Sequence, residues 1–296
     1  MASCKLLQDN KMEVIITPQI DQIIKIALEE DLGPGDLTTL STVPADLQGK
    51  GVFRAKRDSI VAGLIVLERI FAFLDPRVQV SCLVRDGESV KQGTAVAEAN
   101  GPVRALLMGE RTALNFLQRL SGTATLTRRY VDAVRGFSCK ILDTRKTTPG
   151  LRTLEKYAVR MGGGTNHRLG LYDAALVKDN HIVAAGSIAK AVEAVRRQAP
   201  FMAPIEVECA SLQQVQEALD LRVEWIMLDN MKVDEMAQAV KLIAKRARVE
   251  ASGGINLDSA RAVAATGVDF LSVGALTHSA PAEDFNMKIT ADRGKL

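Results

Sequence analysis

PIEVECASLQQVQEALDLRVEWIMLDN, residues 204 to 230, holds two short apolar runs with a helical pattern between them. PIEVEC and WIMLDN are rich in Val, Ile and Leu and too brief for helices, as expected of strands buried on both faces. Between them Ser211 and Gln214 form a capping box, and Leu212, Val215 and Leu219 follow at helical spacing. Each run ends near an acid, Glu208 or Asp229, where a parallel strand gives way to its loop. Strand, crossover helix and second strand make one βα repeat.

The same unit recurs on both sides. From residue 138 onward strands are expected at CKILD (139 to 143), AALVKD (174 to 179), PIEVEC (204 to 209), WIMLDN (225 to 230), RVEASGG (248 to 254) and DFLSVGA (269 to 275). Ile188, Val192 and Val195 supply one helical stripe between strands, and Met236, Val240, Ile243 and Ala244 another. Polar or glycine residues gather at the carboxyl ends of all six strands: Asp143, Arg145 and Lys146; Lys178; Glu208; Asp229; Ser252, Gly253 and Gly254; Gly274. A doubly wound sheet concentrates its chemistry at one switch point, whereas a barrel gathers every strand end around one mouth. The expected fold is therefore α/β, an incomplete (β/α) barrel of about six units.

The first hundred or so residues read differently. A helix at 18 to 30 precedes period-two stretches, GKGVFRAKRDSIVAGL and VQVSCLVRDGESVKQGTAVAEANGPVRAL, which are broken by Asp-Gly, Gln-Gly and Asn-Gly. Such pairs predict hairpins in an antiparallel sheet. A long helical segment, roughly 104 to 135, bridges the halves. The expected organisation is an N-terminal α+β sandwich-like domain over 1–115, a barrel domain over 116–279, and a tail, 280–296, able to pack back on the first domain.

Composition narrows the function. With 296 residues the chain is long enough for about two domains. Thirty-eight basic and 35 acidic side chains nearly balance, and only 4% of residues are aromatic, so no basic, aromatic surface for nucleic acid stands out. The four cysteines, Cys4, Cys82, Cys139 and Cys209, have no CxxC spacing, which argues against a disulfide framework and a zinc site. MASCKLLQDNKMEV lacks a signal or transit pattern, and no run approaches the ~18 apolar residues of a membrane span, so a cytoplasmic protein without membrane partners is expected.

Charge is uneven locally. Residues 140 to 178 hold eight Lys or Arg against three acids. Arg152, Lys156 and Arg160 are read as solvated or paired faces of the helix TLEKYAVR. Arg145, Lys146 and Lys178 extend buried strands into the mouth, where a guanidinium suits bidentate carboxylate binding and an ammonium supplies a compact charge. One such pair at 4 Å carries roughly 4 kcal/mol of Coulomb attraction at an effective dielectric near 20, before desolvation. MGGGTNHRLGLYD, 161 to 173, adds His167 and Arg168, and His167 could donate to a carboxylate or move a proton. His181 reads as structural. Glu208 and Asp229 suit magnesium held through waters and phosphates, or ribose hydroxyls, the plain alternative being caps or salt bridges. The loops ASGGI and SVGALTHS offer backbone N–H groups to a phosphate after the last two strands.

DTRKTTPGLRTLEKYAVRMGGGTNHRLGLYDAALVKDNHI, together with EDLGPGDLTT, GERTALNFLQRLSG, IEVEC, MLDN, ASGGI and SVGALTHSAP, closely resembles the quinolinate phosphoribosyltransferase family over nearly the whole chain. The resemblance implies transfer of phosphoribose from phosphoribosyl pyrophosphate to the ring nitrogen of quinolinate, with Mg2+, releasing pyrophosphate and carbon dioxide and yielding nicotinate mononucleotide for NAD synthesis. It implies that Arg145, Lys146, His167, Arg168 and Lys178 bind the two quinolinate carboxylates. Glu208 and Asp229 would face the ribose and the metal-pyrophosphate, while Ser252, Gly253, Gly254 and Gly274 would hold the 5′-phosphate. No residue is implied as a covalent nucleophile. Arg111 would enter the neighbouring subunit's site, making a homodimer the minimum unit, and hexamers also occur in the family. Two rivals are a related pyrophosphorylase acting on another base and a biotinyl or lipoyl carrier hairpin at ESVKQGTAVAEANGPV. The hairpin's expected tip, Glu98 to Gly101, has no acceptor lysine.

Overall fold

The computed structural model describes residues 17–292, which form two compact units. The first unit takes in the chain up to Leu126, Thr148–Gly163 and the segment from Ser279; the second comprises Thr127–Thr147 and Gly164–His278. In chain order the first elements are α1 (Pro18–Leu32), α2 (Leu37–Thr42), β1 (Gln48–Ala55), β2 (Ser59–Ile60), α3 (Leu64–Leu74), β3 (Gln79–Cys82), β4 (Ser89–Val90), β5 (Ala95–Pro102) and α4 (Val103–Ala133). There follow β6 (Lys140–Leu142), α5 (Arg152–Met161), β7 (Ala175–Val177), α6 (Asp179–Ala185), α7 (Ile188–Gln198), β8 (Ile205–Cys209) and α8 (Leu212–Asp220). The last are β9 (Trp225–Asp229), α9 (Val233–Ile243), β10 (Arg248–Ser252), α10 (Leu257–Ala264), β11 (Phe270–Ser272), α11 (Ala275–His278) and β12 (Phe285–Ala291).

The first unit is built on an antiparallel sheet of order β12-β1-β5-β3. Strand β1 alternates, with Gly49, Gly51, Phe53 and Ala55 turned inward, which is the period-two pattern of a sheet with one covered face. Helix α1 starts where the Thr17 hydroxyl accepts from the Ile20 N–H and Pro18 presets the first turn. It buries Ile20, Ile24 and Leu28 at four-residue spacing. Asp86-Gly87 and Gln92-Gly93 are turns with positive φ at glycine, but Asn100-Gly101 lies inside β5. Moreover β4 pairs with β2 rather than with β5. The stretch from 88 to 103 is therefore no carrier hairpin, and Glu98 to Gly101 is no tip. Helix α5, although it lies between two barrel strands in sequence, places Leu154, Tyr157 and Ala158 in this unit's core. Lys156 on the same helix is fully buried, so of the solvated and paired alternatives the paired one holds, in an interior position. Cys82 is disulfide-bonded, where the scatter of cysteines suggested no bridge, whereas Cys139 and Cys209 are free and buried.

Asp86 gives this unit a pH dependence. Its carboxyl group accepts from the Leu64 N–H at 3.1 Å, opening helix α3, and from the Tyr157 hydroxyl at 2.7 Å. Burial outweighs both bonds and pushes the carboxyl from 3.8 up to about 6. The folded state then holds a proton that the unfolded state releases near pH 4. Stability falls as pH rises from about 4 to about 6, by on the order of 3 kcal/mol, and is level above that. Denaturant unfolding across pH 4 to 7 should show Asp86→Asn gaining on the wild type over this window. A constant difference between the two would count against the assignment.

The second unit contains the six expected strands, all parallel, in the order β6-β11-β10-β9-β8-β7. β6 and β7 end the row, so the barrel is incomplete. Beside β6 a single bridge joins Leu142 to Thr165. Val207, Ile226, Leu228, Val249, Ala251 and Leu271 are buried, as strands covered by crossover helices require. Ser187, Ser211 and Asn256 cap α7, α8 and α10 through their side chains. Gln214, expected to close a capping box on the Ser211 N–H, instead accepts from the Ala210 N–H, one residue earlier, at 2.7 Å, so only the Ser211 half of the box forms. Among the described residues no helix is long and apolar enough to cross a membrane.

Candidate functional site

Parallel strands end together, and their loops surround a cavity of about 550 Å³ in the second unit. Thr144, Arg145 and Lys146 line it from the loop after β6, His167 and Arg168 from the glycine-rich loop, and Lys178 from the end of β7. Glu208, Asp229 and Ser252-Gly253-Gly254 line it from β8, β9 and β10. Eleven of the residues proposed from sequence lie within this unit, and ten of them line this cavity. The eleventh, Gly274, lies against the Lys146 side chain, where an added Cβ would meet Lys146 Cδ at 3.0 Å. Arg111 is exposed on α4 in the first unit.

The cation wall is tied down by short polar bonds. Asp143, fully buried at the end of β6, accepts from the His167 N–H at 2.9 Å and from the Asn166 amide at 2.5 Å. One carboxylate thus joins the DTRK strand end to the NHR loop. The Thr277 hydroxyl donates to the Lys146 carbonyl at 2.7 Å, fixing the backbone from the side of α11. Asp173 closes the loop by accepting from the Leu169 and Gly170 N–H groups at 2.5 and 3.1 Å. Arg168 donates through Nη1 to the Ala174 carbonyl at 3.0 Å. Burial, then the charge of Arg145, pulls the Arg168 guanidinium below its usual range, with Glu206 and Asp173 opposing.

The ends of β8, β9 and β10 carry acids and glycines. Glu208 pairs with Lys178, Nζ to Oε2, at 3.0 Å, which is the salt bridge weighed as its plain reading. His181 Nδ1 accepts from the Lys178 N–H at 2.9 Å at the start of α6, so its observed role is structural. Asp229 accepts from the Asn230 amide at 2.7 Å. Asn230 itself adopts a φ of 54°, a left-handed conformation that Asn tolerates better than most residues. Gly253, with φ 91°, packs so tightly on it that a Cβ would lie 2.2 Å from Asn230 Oδ1.

Beneath the cations lie two acids that sequence reading missed. Glu206 on β8 and Glu250 on β10 are buried, and both approach His167 Nε2, at 3.2 and 3.3 Å. Burial resists charge on the ring, while the two carboxylates draw a proton toward it. Burial pushes Glu206 up to about 7, against the pull of His167. The Arg168 N–H donates to His167 Nδ1 at 2.7 Å, and that bond needs the Nδ1 lone pair. With Nδ1 accepting, the ring donates from Nε2 alone, toward the two carboxylates. The signal was present in sequence: Glu206 lies two residues before Glu208, and Glu250 two before Ser252, so each shares its successor's strand face.

His167, Glu206 and Glu250 also form the one group of three potential metal ligands found among the described residues. A metal would need the Nε2 lone pair while Nδ1 still accepts from a peptide N–H, which a neutral imidazole cannot provide. Glu208 and Asp229 fit magnesium better. Their oxygens end neighbouring strands at the cavity, where water and phosphate ligands can complete an octahedron.

Comparison with known proteins gives a consistent result. Residues 36–121 match the family model for the quinolinate phosphoribosyl transferase N-terminal domain, and residues 123–288 match that for the C-terminal domain. The chain is 49% identical over 281 residues to a probable carboxylating nicotinate-nucleotide pyrophosphorylase of Synechocystis, covering 93% of each protein. It is 44% identical over 272 residues to the Bacillus subtilis protein of the same description, covering 92% of this chain and 94% of that one. Among solved structures, NadC from Streptococcus pyogenes superposes with a TM-score of 0.90 at 45% identity, covering 94% of this chain and 99% of that one. The nicotinate-nucleotide pyrophosphorylase of Francisella tularensis gives 0.89 at 37% identity, covering 95% and 100%.

Proposed function

The chain belongs to the quinolinate phosphoribosyltransferase family, and we infer from this that it converts quinolinate and phosphoribosyl pyrophosphate to nicotinate mononucleotide, pyrophosphate and carbon dioxide in NAD biosynthesis. The observation that carries the reading for this site is the cation wall: Arg145, Lys146, Arg168 and Lys178 around one cavity, with Arg145 depressing Arg168. A planar dicarboxylate meets that wall with two charges, where a monocarboxylate leaves part of it unmatched. His167 belongs to the same family motif.

At the ends of β8 and β9, Glu208 and Asp229 would face the ribose and hold magnesium through waters and the pyrophosphate, which offsets the charge on the departing group. Ser252, Gly253, Gly254 and Gly274 would take the 5′-phosphate on backbone N–H groups. Loss of pyrophosphate leaves cationic character on the ribose, so holding the ring nitrogen in line with that carbon supplies most of the catalysis. No side chain need form a covalent intermediate. Once alkylated, the positive ring nitrogen stabilises the electron pair left on the adjacent ring carbon when the carboxylate leaves as carbon dioxide, and that carbon then takes a proton from water. Arg111, exposed on α4, is proposed to complete a neighbouring subunit's site, with a homodimer as the least active assembly and a hexamer as the alternative.

One assay tests this. With quinolinate, phosphoribosyl pyrophosphate and magnesium, nicotinate mononucleotide and carbon dioxide should form in equal amounts, and nicotinate should be a far poorer acceptor. Chelating the magnesium should reduce the rate to background, and adding it back should restore it. Equal use of nicotinate without carbon dioxide release would instead identify a pyrophosphorylase for another base.

A further inference from the structure

The family motif groups His167 with the residues that touch the dicarboxylate, but both of its ring nitrogens are already engaged within the protein. Nδ1 accepts from the Arg168 N–H at 2.7 Å, and Nε2 faces Glu206 Oε2 at 3.2 Å and Glu250 Oε2 at 3.3 Å. A neutral imidazole has one donor and one acceptor, and both are spent. We propose that Glu206 and Glu250 are positioning residues for the dicarboxylate: they anchor His167 from below, His167 fixes the Arg168 amide, and the ring itself makes no hydrogen bond to the ligand. This rests on the quinolinate reading given above.

Three observations support the assignment. Barrel interiors are normally filled by Val, Ile and Leu, yet two strands that flank β9 each put an acid there. Glu250 is 1% exposed and Glu206 7%; Glu206 Oε1 and both Glu250 oxygens have no hydrogen-bond partner, so Glu250 meets the ring as a buried carboxylate 3.3 Å from Nε2. Two buried acids sharing one imidazole are a poor way to stabilise a fold, since well-packed apolar side chains of similar volume do as well or better. Their presence there fits a role in the site. That role lies with Arg168, whose guanidinium is repelled by Arg145, and Glu206 is one of the acids offsetting that repulsion. Anchoring the Arg168 backbone through His167 holds the guanidinium in place before any anion arrives, so the ordering cost is met in folding rather than in binding.

The test uses the full-length enzyme with Glu250→Ala and Glu250→Gln, measuring KM and kcat separately for each substrate. Glu250→Ala should raise the KM for quinolinate about tenfold or more while that for phosphoribosyl pyrophosphate stays within about twofold. Glu250→Gln keeps the side chain's volume and an oxygen beside Nε2 and should recover most of the loss. In parallel, 15N spectra of histidine-labelled wild type, with His167→Gln used for assignment, should show Nε2 protonated and Nδ1 unprotonated, both before and after saturation with quinolinate. An unmoved quinolinate KM, an equal rise in both KM values, or a His167 nitrogen that changes state on quinolinate binding would overturn the proposal. If Glu250→Ala does not fold, Glu250→Gln and the wild-type spectra still decide it. A wild type that takes no quinolinate defeats the functional reading itself, and that is seen before any variant is made.

Discussion

Replacing Arg145 with alanine is expected to lower kcat/KM for quinolinate by about two to three orders of magnitude without lowering the melting temperature, on the ~2–5 kcal/mol lost when one partner of a desolvated charge pair is truncated. The separation of activity from stability is the informative part. Arg145 is exposed and has no ion pair among the described residues, so its removal costs the free protein no internal contact. It also relieves the repulsion that depresses Arg168. In the complex the balance reverses, because a carboxylate that would have met a planar two-donor fork meets water or a methyl group. Arg145→Lys should recover the charge but not the fork, and so restore only part of the affinity. The KM for phosphoribosyl pyrophosphate should be nearly unchanged, since its proposed ligands follow strands β8 to β11 rather than the loop after β6 that carries Arg145. Steady-state kinetics on both substrates, with thermal unfolding of each variant, checks the prediction. Normal quinolinate kinetics in Arg145→Ala would remove Arg145 from the carboxylate site.

Much of the site was legible because parallel strands end together. Once six short apolar runs are recognised, the polar residues just beyond them must share one mouth, and ten of the proposed residues line a single cavity. Position along a strand is thus enough to collect a site from distant sequence. What lies below the rim is harder to see. Glu206 and Glu250 alternate with apolar neighbours just as solvent-facing acids on a half-exposed strand would, and only the burial of both faces reveals them as interior. Helix α5 was also hidden, because its partners in the first core come from residues 20 to 124 and from the β12 segment, far from it in sequence. In the antiparallel sheet, Asn100-Gly101 carries the composition of a tight turn yet sits within β5 opposite Gly49 and Lys50. The local preference of an Asn-Gly pair yielded there to cross-strand pairing over the full length of β1, a tertiary effect that local composition does not report.

Replacing Gly253 with alanine should be the most damaging single-methyl change in the loop between β10 and α10, the proposed phosphate site, and the neighbouring glycine supplies its control. At Gly253 a Cβ would lie 2.2 Å from Asn230 Oδ1 and 2.8 Å from the Asn230 backbone nitrogen. The side-chain clash alone could be relieved by rotating Asn230, but that amide is the donor to Asp229, and the backbone nitrogen cannot retreat because its N–H donates to the Ser252 carbonyl at 3.0 Å. The φ of 91° adds strain for any residue with a Cβ. Together these should cost about 2–4 kcal/mol of stability. The loop can relax only by moving Asn230 with Asp229, or by turning its own N–H groups, and either shift disturbs the proposed sites for phosphoribosyl pyrophosphate. At Gly254 the φ is 62° and nothing lies within 4 Å of the added Cβ, so alanine there should cost only about 1 kcal/mol, the ordinary penalty of a left-handed residue. The expected result is a kcat/KM for phosphoribosyl pyrophosphate at least about a hundredfold lower in Gly253→Ala than in Gly254→Ala, given the sensitivity of such reactions to misplacement of about 1 Å. Equal kinetics in the two variants would mean that the phosphate is held elsewhere than in the loop between β10 and α10.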